Sequence, residues 1–284
     1  MHESGAGRQT HFVDDRVNEA MADDGYAVLP QRLPAVLVDE LTDLYAGVVE
    51  ESGRDGSGRF RPSMMIPDSA LRTRLWDGVR RITAPVLAPL FRDGTTDVLG
   101  GSFVSKPSSP ESSRNPHQDP TVFDETQHVS ISVWIPLSRS TVGNGTLYVL
   151  PGSHLLGNHV RPPDVDSLDD DVRAFALGAS VPIELEPGEM LVIDGALIHH
   201  SPPNESGAER VATICAVRPA GAEMLYVRSE DGAAEGVAEV YGIGVAAYRS
   251  GEIVEPRLDG VPVIRRAPYR PVTMADVARA RSSN

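Results

Sequence analysis

The sequence predicts a mainly β protein with α: an antiparallel β core, sandwich or barrel, covered by an N-terminal helical layer. Three observations predict it. Apolar residues recur at helical spacing through much of the first hundred positions, with acidic residues between them. From Val98 onward the texture changes to short alternating runs separated by Gly- and Pro-containing turns, which is the pattern of antiparallel strands. The chain has 284 residues, 40 % of them apolar and 23 % charged, enough for a sizeable core without a compositional break.

Taken in order, residues 1–13 read as a tail and residues 14–24 as a first helix. A short apolar run over 25–30, bounded by Gly25 and Pro30, reads as a strand. Residues 34–51 place Leu37, Val38, Leu41, Leu44, Tyr45 and Val48 on one helical stripe. Residues 53–67, rich in Gly, Ser and Arg, read as a loop, and 69–91 as a third helix closed by Arg92-Asp93-Gly94. Residues 129–137 alternate, with Val129, Ile131, Val133, Ile135 and Leu137 on one face and Ser130, Ser132 and Trp134 on the other. Gly143-Asn144-Gly145 is a turn before a strand at 146–150; Pro187-Gly188 is a turn before a strand at 190–194; a further strand covers 211–217. Residues 158–180 are polar and acidic and read as a loop or lid inserted between strands. Past Val227 periodicity fades, and this stretch is expected to pack on the helical side. The expected organisation is one domain: a tail (1–13), a helical layer (14–95), a β core (96–227) and a C-terminal extension (228–284).

Composition excludes several functions. No run of eighteen apolar residues exists, so no transmembrane helix is expected. The opening residues have neither a basic nor an apolar region, which predicts a cytoplasmic protein. The single cysteine, Cys215, forms neither an internal disulfide nor a thiolate zinc site, and reads as a small buried hydrophobe. A net charge of −14 with no basic cluster argues against nucleic acid and against anionic membranes, leaving a small molecule as the expected partner. No sequence feature assigns an oligomeric state. Of 26 basic residues only Lys106 is lysine, a bias expected of a GC-rich genome. A position that keeps lysine in such a background is one where a compact ammonium has a use.

Among eight histidines, His2 and His11 fall in the expected tail and His159 in the expected lid, while His128 reads as a polar edge residue. His117-Gln118-Asp119 differs: on extended backbone residues i and i+2 share a face, so one imidazole and one carboxylate can hold a common ion. A third ligand from a distant strand would complete a facial triad, which suits iron(II) and leaves coordination positions open. His199-His200 follows the 190–194 strand, where a β core would return that ligand, and Arg210 then opens another strand with a fork suited to a carboxylate. Spacing alone does not separate His199 from His200. Trp134 either lines the cavity or packs in the core. Gln118 and Phe123 flank the pair as candidate substrate contacts, and Arg59, Arg61, Met64 and Met65, in the loop before the third helix, are candidates to face the pocket.

His117-Gln118-Asp119, the run Asn144-Gly-Thr-Leu-Tyr-Val-Leu-Pro-Gly-Ser-His154 and the run His199-His-Ser-Pro-Pro-Asn-Glu-Ser-x-x-x-Arg210 occur in one order over residues 26–218. In these motifs the chain resembles the phytanoyl-CoA dioxygenase (PhyH-like) branch of the iron(II)/2-oxoglutarate oxygenases. The resemblance implies a double-stranded β-helix (jelly roll, cupin-like) core. It implies iron ligands His117, Asp119 and His199, with His200 as their neighbour. It also implies that Arg210, Ser201 and Lys106 hold the distal carboxylate of 2-oxoglutarate, and that Pro151-Gly-Ser-His154 closes a strand. Iron(II), 2-oxoglutarate and O2 would then oxidise an unactivated C–H of a small molecule of bacterial secondary metabolism, releasing succinate and CO2. Related halogenases carry a small residue where Asp119 stands, so the carboxylate points to hydroxylation. Two other readings compete: a cupin-like metal enzyme without 2-oxoglutarate, which has no need of Arg210, Ser201 and Lys106 together, and a non-catalytic relative that binds a small molecule.

Overall fold

The computed structural model describes residues 10–53, 57–249 and 258–282. The helices are α1 (Asp15–Asp23), α2 (Ala35–Ser52), α3 (Ser69–Leu87), α4 (Asp170–Ala179), α5 (Val245–Arg249) and α6 (Met274–Ser282). The strands are β1 (Tyr26–Arg32), β2 (Arg61–Pro62), β3 (Thr96–Lys106), β4 (Arg114–His117), β5 (Ile131–Pro136), β6 (Leu147–Val149) and β7 (Val181–Ile183). They continue as β8 (Glu189–Asp194), β9 (His199–Ser201), β10 (Arg210–Pro219), β11 (Met224–Ser229), β12 (Gly236–Ile243) and β13 (Val263–Tyr269). Side-chain caps start the helices where the sequence supplies them: Asp14, Asp68 and Asp169 each accept from backbone N–H groups of the first turn.

Two sheets carry the core. The larger runs β1-β8-β5-β10-β3-β2 and the smaller β4-β9-β6-β7, every pair antiparallel. The expected alternation of β5 decides what each face does. Val133 and Ile135, with Phe103, Cys215 and Val217 of the neighbouring strands, pack against Leu41, Leu75, Val79 and Ile82 of α2 and α3. Trp134 faces the other way, into the space between the sheets, with Val104, Leu191 and Ala212 of the larger sheet and Val149 and Ile183 of the smaller. Burying one face of the larger sheet under helices and the other under a second sheet leaves its strands apolar on both sides, so β3 and β10 read as near-continuous runs.

The structure corrects three expectations. The expected tail does not include His11 and Phe12, which are buried, Phe12 bridging to Phe91 with ring centroids 4.8 Å apart. Residues 158–180 are an integral part of the fold: α4 lies within them and buries Val172 and Ala176 against Ile198 and Val277. Finally, the boundary at 227 cuts β11, which starts a third sheet, β11-β12-β13. That sheet packs on Val160 and Val165 and α6 joins α4, while Met224, Ile243 and α5 reach Trp76 of the helical layer, where Tyr248 meets it edge-on at 5.1 Å and Arg249 pairs with Asp77. No helix among the described residues is long and apolar enough to cross a membrane.

Candidate metal centre

β4 and β9 run antiparallel with His117 directly opposite His199. Their rings lie 4.3 Å apart at the centroids. Asp119 follows two residues after His117, and its Oδ1 stands 4.0 Å from His117 Nε2 and 3.8 Å from His199 Nε2. One ligand atom from each of the three residues falls within 4.8 Å of the others. The sequence left two histidines open for the third place, and strand alternation separates them. His199 faces inward with its register partner Val149, whereas His200 points to the opposite face and stacks on Tyr148 at 5.1 Å.

The donor set fits a divalent metal in a way that goes beyond proximity. His117 Nδ1 lies 2.8 Å from the carbonyl of Asn115, and His199 Nδ1 lies 2.9 Å from the carbonyl of Leu197. A carbonyl only accepts, so each Nδ1 carries the proton and each Nε2 presents its lone pair to the shared point. Burial, with the neighbouring His199 and Arg114, holds the His117 imidazole well below its usual pKa and therefore neutral. Asp119 is held through its backbone: its N–H donates to Gly195 at 2.9 Å and its carbonyl accepts from Arg161 Nε at 2.6 Å. Gly195 has no room for a side chain, because a Cβ there would come within 2.9 Å of Ser130 Oγ.

A second cluster of charge sits nearby in the chain fold. Lys106 closes β3 and Arg210 opens β10, directly opposite each other in register. Both are buried, and neither has a carboxylate partner among the described residues. Lys106 Nζ donates to the carbonyls of Ser112 at 2.5 Å, Pro202 at 2.6 Å and Ser201 at 3.3 Å. Burial and the adjacent Arg210 bring its pKa down to about 7. Arg210 donates from Nη2 to the carbonyl of Gly145 at 2.8 Å and lies 5.3 Å above the Trp134 ring, while its buried Nε has no partner. Two desolvated cations and an orphaned N–H are costly unless an anion completes them, and a carboxylate is a group that would do so. Ser201 is buried on the same face as His199. Asn204 braces the loop between them, donating to the carbonyls of Lys106 and Ala208 and accepting from Ser206.

Gly145 packs directly against this cluster with φ +69°. A Cβ there would meet the Pro202 carbonyl at 2.5 Å and Lys106 Cδ at 2.8 Å. Gly145→Ala is therefore expected to lower stability by about 1–3 kcal/mol, from a left-handed backbone and a displaced pocket wall. A thermal melt of the metal-free protein checks it, and an unchanged Tm would show that the turn relaxes freely.

Several other sequence candidates lie elsewhere. Gln118 is buried with its amide on the Ala196 carbonyl and Asn158, so it faces away from the centre, and Phe123 packs with Trp76, Leu99 and Met224. Arg59 and Met65 are exposed and Arg61 lies on the edge strand β2. Only Met64 reaches a small cavity that it shares with Trp76, Ser102 and Tyr248. His154 packs beneath Gly25, His159 is exposed, and Cys215 is fully buried with its thiol pushed up to about 12 by burial. A cavity of about 610 Å³ beside Leu155, Phe175 and Val277 contains none of the metal-centre groups.

Three further residues around Asp119 had no sequence signal. Tyr248 comes from the C-terminal extension, and burial together with the charge of Asp119 raises its pKa. Asp194, at the end of β8, is raised to about 7 by burial, with Glu125 and Asp119 adding to the rise. Arg161 reaches Asp119 from the segment that read as a lid.

Comparison with known proteins adds an independent line. A profile of "Phytanoyl-CoA dioxygenase (PhyH)" matches residues 67–212. Curated relatives include "Phytanoyl-CoA dioxygenase domain-containing protein 1 homolog" of Dictyostelium discoideum, 31 % identical over 105 residues, which cover 34 % of this chain and 37 % of that one. "Phytanoyl-CoA dioxygenase 1" of Oryza sativa subsp. japonica is 35 % identical over 100 residues, covering 34 % and 36 %. The matched stretch thus spans little more than a third of these relatives' length. Among solved structures, the non-heme alpha ketoglutarate dependent carbocyclase SnoK from nogalamycin biosynthesis superposes with a TM-score of 0.54 at 18 % identity, over 75 % of this chain and 86 % of that one. HygX from Streptomyces hygroscopicus, solved with nickel and 2-oxoglutarate bound, gives 0.51 at 16 % identity over 74 % and 88 %. At such identities the shared feature is the cupin-like jelly-roll fold, here with its two sheets open at the edges.

Proposed function

The chain belongs to the phytanoyl-CoA dioxygenase (PhyH) family, and from that premise we propose that it is an iron(II)/2-oxoglutarate-dependent dioxygenase acting on a small molecule. The observation that carries the reading is the convergence of His117 Nε2, Asp119 Oδ1 and His199 Nε2 within 4.8 Å, in a chain that also buries two cations without a carboxylate. A facial set of two imidazoles and one carboxylate suits iron(II) and leaves positions for a chelating co-substrate and O2. When bound, these groups supply the oxidising power that hydroxylates a C–H, with succinate and CO2 as co-products. The protein does the rest. His117 and His199, locked in the Nδ1–H tautomer, orient the metal, and Asp119 supplies the negative charge. Arg210 offers its unpartnered Nε to the distal carboxylate of 2-oxoglutarate, held flat by Trp134, with the Lys106 ammonium beside it and Ser201 on the same wall. Asp119 at the halogenase-distinguishing position favours hydroxylation. The arginine-for-lysine bias, and a fold neighbour named for nogalamycin biosynthesis, support an enzyme of bacterial secondary metabolism.

The test is an anaerobic titration with iron(II) and then 2-oxoglutarate, read by the weak visible charge-transfer band of the chelate. The band is expected in the parent and in His200→Ala, absent in His199→Ala and weakened in Arg210→Ala. Iron binding without any band in the parent would overturn the 2-oxoglutarate reading in favour of a metal enzyme that does not use it.

A further inference from the structure

Of the three metal-centre residues, Asp119 alone lacks a hold on its own side chain. The histidines are fixed by strand pairing and by Nδ1–H bonds, whereas the Asp119 carboxylate is over a third exposed and accepts no hydrogen bond among the described residues. Its place is therefore set by its backbone, and the carbonyl of that backbone is held by Arg161. Arg161 is buried to 1 % and pairs with Glu125, itself 4 % exposed, through Nη1–Oε2 and Nη2–Oε1 bonds of 2.6 Å each. Its Nη1 also donates to the carbonyl of Asn158, and its backbone exchanges bonds with Thr121 in both directions. Four of the five guanidinium donors are thus spent on holding residues 119–125 and 158–161 together. A buried ion pair is poor value as a stabiliser, because desolvating both charges costs nearly what their attraction returns. Its geometry is what an apolar pair would not reproduce: a planar fork fixed by Glu125 aims Nε at one carbonyl.

We propose that Arg161 and Glu125 are positioning residues for the metal centre, which set the Asp119 carboxylate in ligating position through its main-chain carbonyl. The proposal rests on the reading of His117, Asp119 and His199 as ligands. Groups of this kind, one bond removed from a ligand, are worth about 10–100-fold in metal affinity.

The experiment is cobalt(II) titration of the metal-free protein, following the visible absorption of the bound ion and competition with a chromogenic chelator. Arg161→Lys keeps the charge beside Glu125 but replaces the planar fork that aims Nε at the Asp119 carbonyl with a flexible point donor. The double variant Arg161→Met/Glu125→Leu removes both charges together, so no lone buried ion opposes folding. Both are expected to fold, by circular dichroism, and to bind cobalt(II) at least about tenfold more weakly with an altered spectrum. Asp276→Asn is the control: it removes a carboxylate bonded to Arg270, Thr273 and Arg279 at the start of α6, and is expected to lower the Tm with cobalt affinity unchanged. A folded double variant with parental affinity and spectrum overturns the proposal, as does an equal loss in the control. A parent that binds no cobalt(II), or binds it undiminished after His117→Ala, overturns the ligand reading itself and this proposal with it.

Discussion

Asp119→Ala is expected to abolish substrate oxidation coupled to succinate release. The carboxylate is the one anionic donor in a set whose other members are neutral imidazoles, so its loss removes both a bond and the charge that balances the metal. Outer partners of metal ligands are worth about 10–100-fold, so a ligand itself should exceed that range. Succinate formation measured by mass spectrometry, beside cobalt(II) titration, checks both halves of the claim. Full activity in the variant would remove Asp119 from the ligand set.

The second large effect concerns the anion pocket. Arg210→Ala is expected to raise the KM for 2-oxoglutarate about 10–100-fold, the worth of one or two hydrogen bonds to a charged partner, with a smaller change in the KM for the oxidised substrate. Lys106→Ala should act in the same direction and also shift the 2-oxoglutarate constant more than the substrate constant. It should act less strongly, because three carbonyls already share the ammonium protons. The two variants are further separable by pH. With its pKa lowered to about 7, Lys106 is charged below neutrality and loses its proton as pH rises past it. The parental KM for 2-oxoglutarate should therefore climb between pH 6 and 9, and in Lys106→Met that climb should vanish. A flat profile in the parent, or equal constants in Lys106→Ala and parent, would assign the lysine to bracing the Ser112 and Pro202 carbonyls alone.

Sequence patterns revealed those parts of the site that depend on local periodicity. Two-residue alternation places His117 with Asp119, and it also places Trp134 on the face opposite Val133 and Ile135, where it meets Arg210. The lone lysine stood out against an arginine background, and it proves to lie directly across from Arg210 in the β3–β10 ladder. What escaped has a common cause. Arg161 lies in an acidic, Pro-containing stretch where a charged residue looks solvated, and only the tertiary fold buries it against Glu125. Tyr248 sits in a five-residue helix too short to show a stripe, in a region whose strands were themselves unread. Phe12 reads as part of a tail because a single apolar residue near a chain end carries no period; its partner Phe91 is a whole helical layer away. Local propensity describes faces, and it is silent on which faces meet.

The order of strands in the larger sheet also determines when this protein can finish folding during synthesis. β1 must wait for β8, since Tyr26 pairs with Ile193, and β3, with only the two-residue β2 beside it, lacks its long partner until β10 leaves the ribosome. Through most of translation the amphipathic stripes of α2 and α3 therefore face a sheet that does not yet exist, and such non-local closure is slow and exposed to aggregation. His117 and Asp119 likewise lack their third partner until His199 emerges, so metal capture would be a late event in the life of the nascent chain. Arresting synthesis just before and just after β9 would separate chains unable to grip the ion from those newly able to.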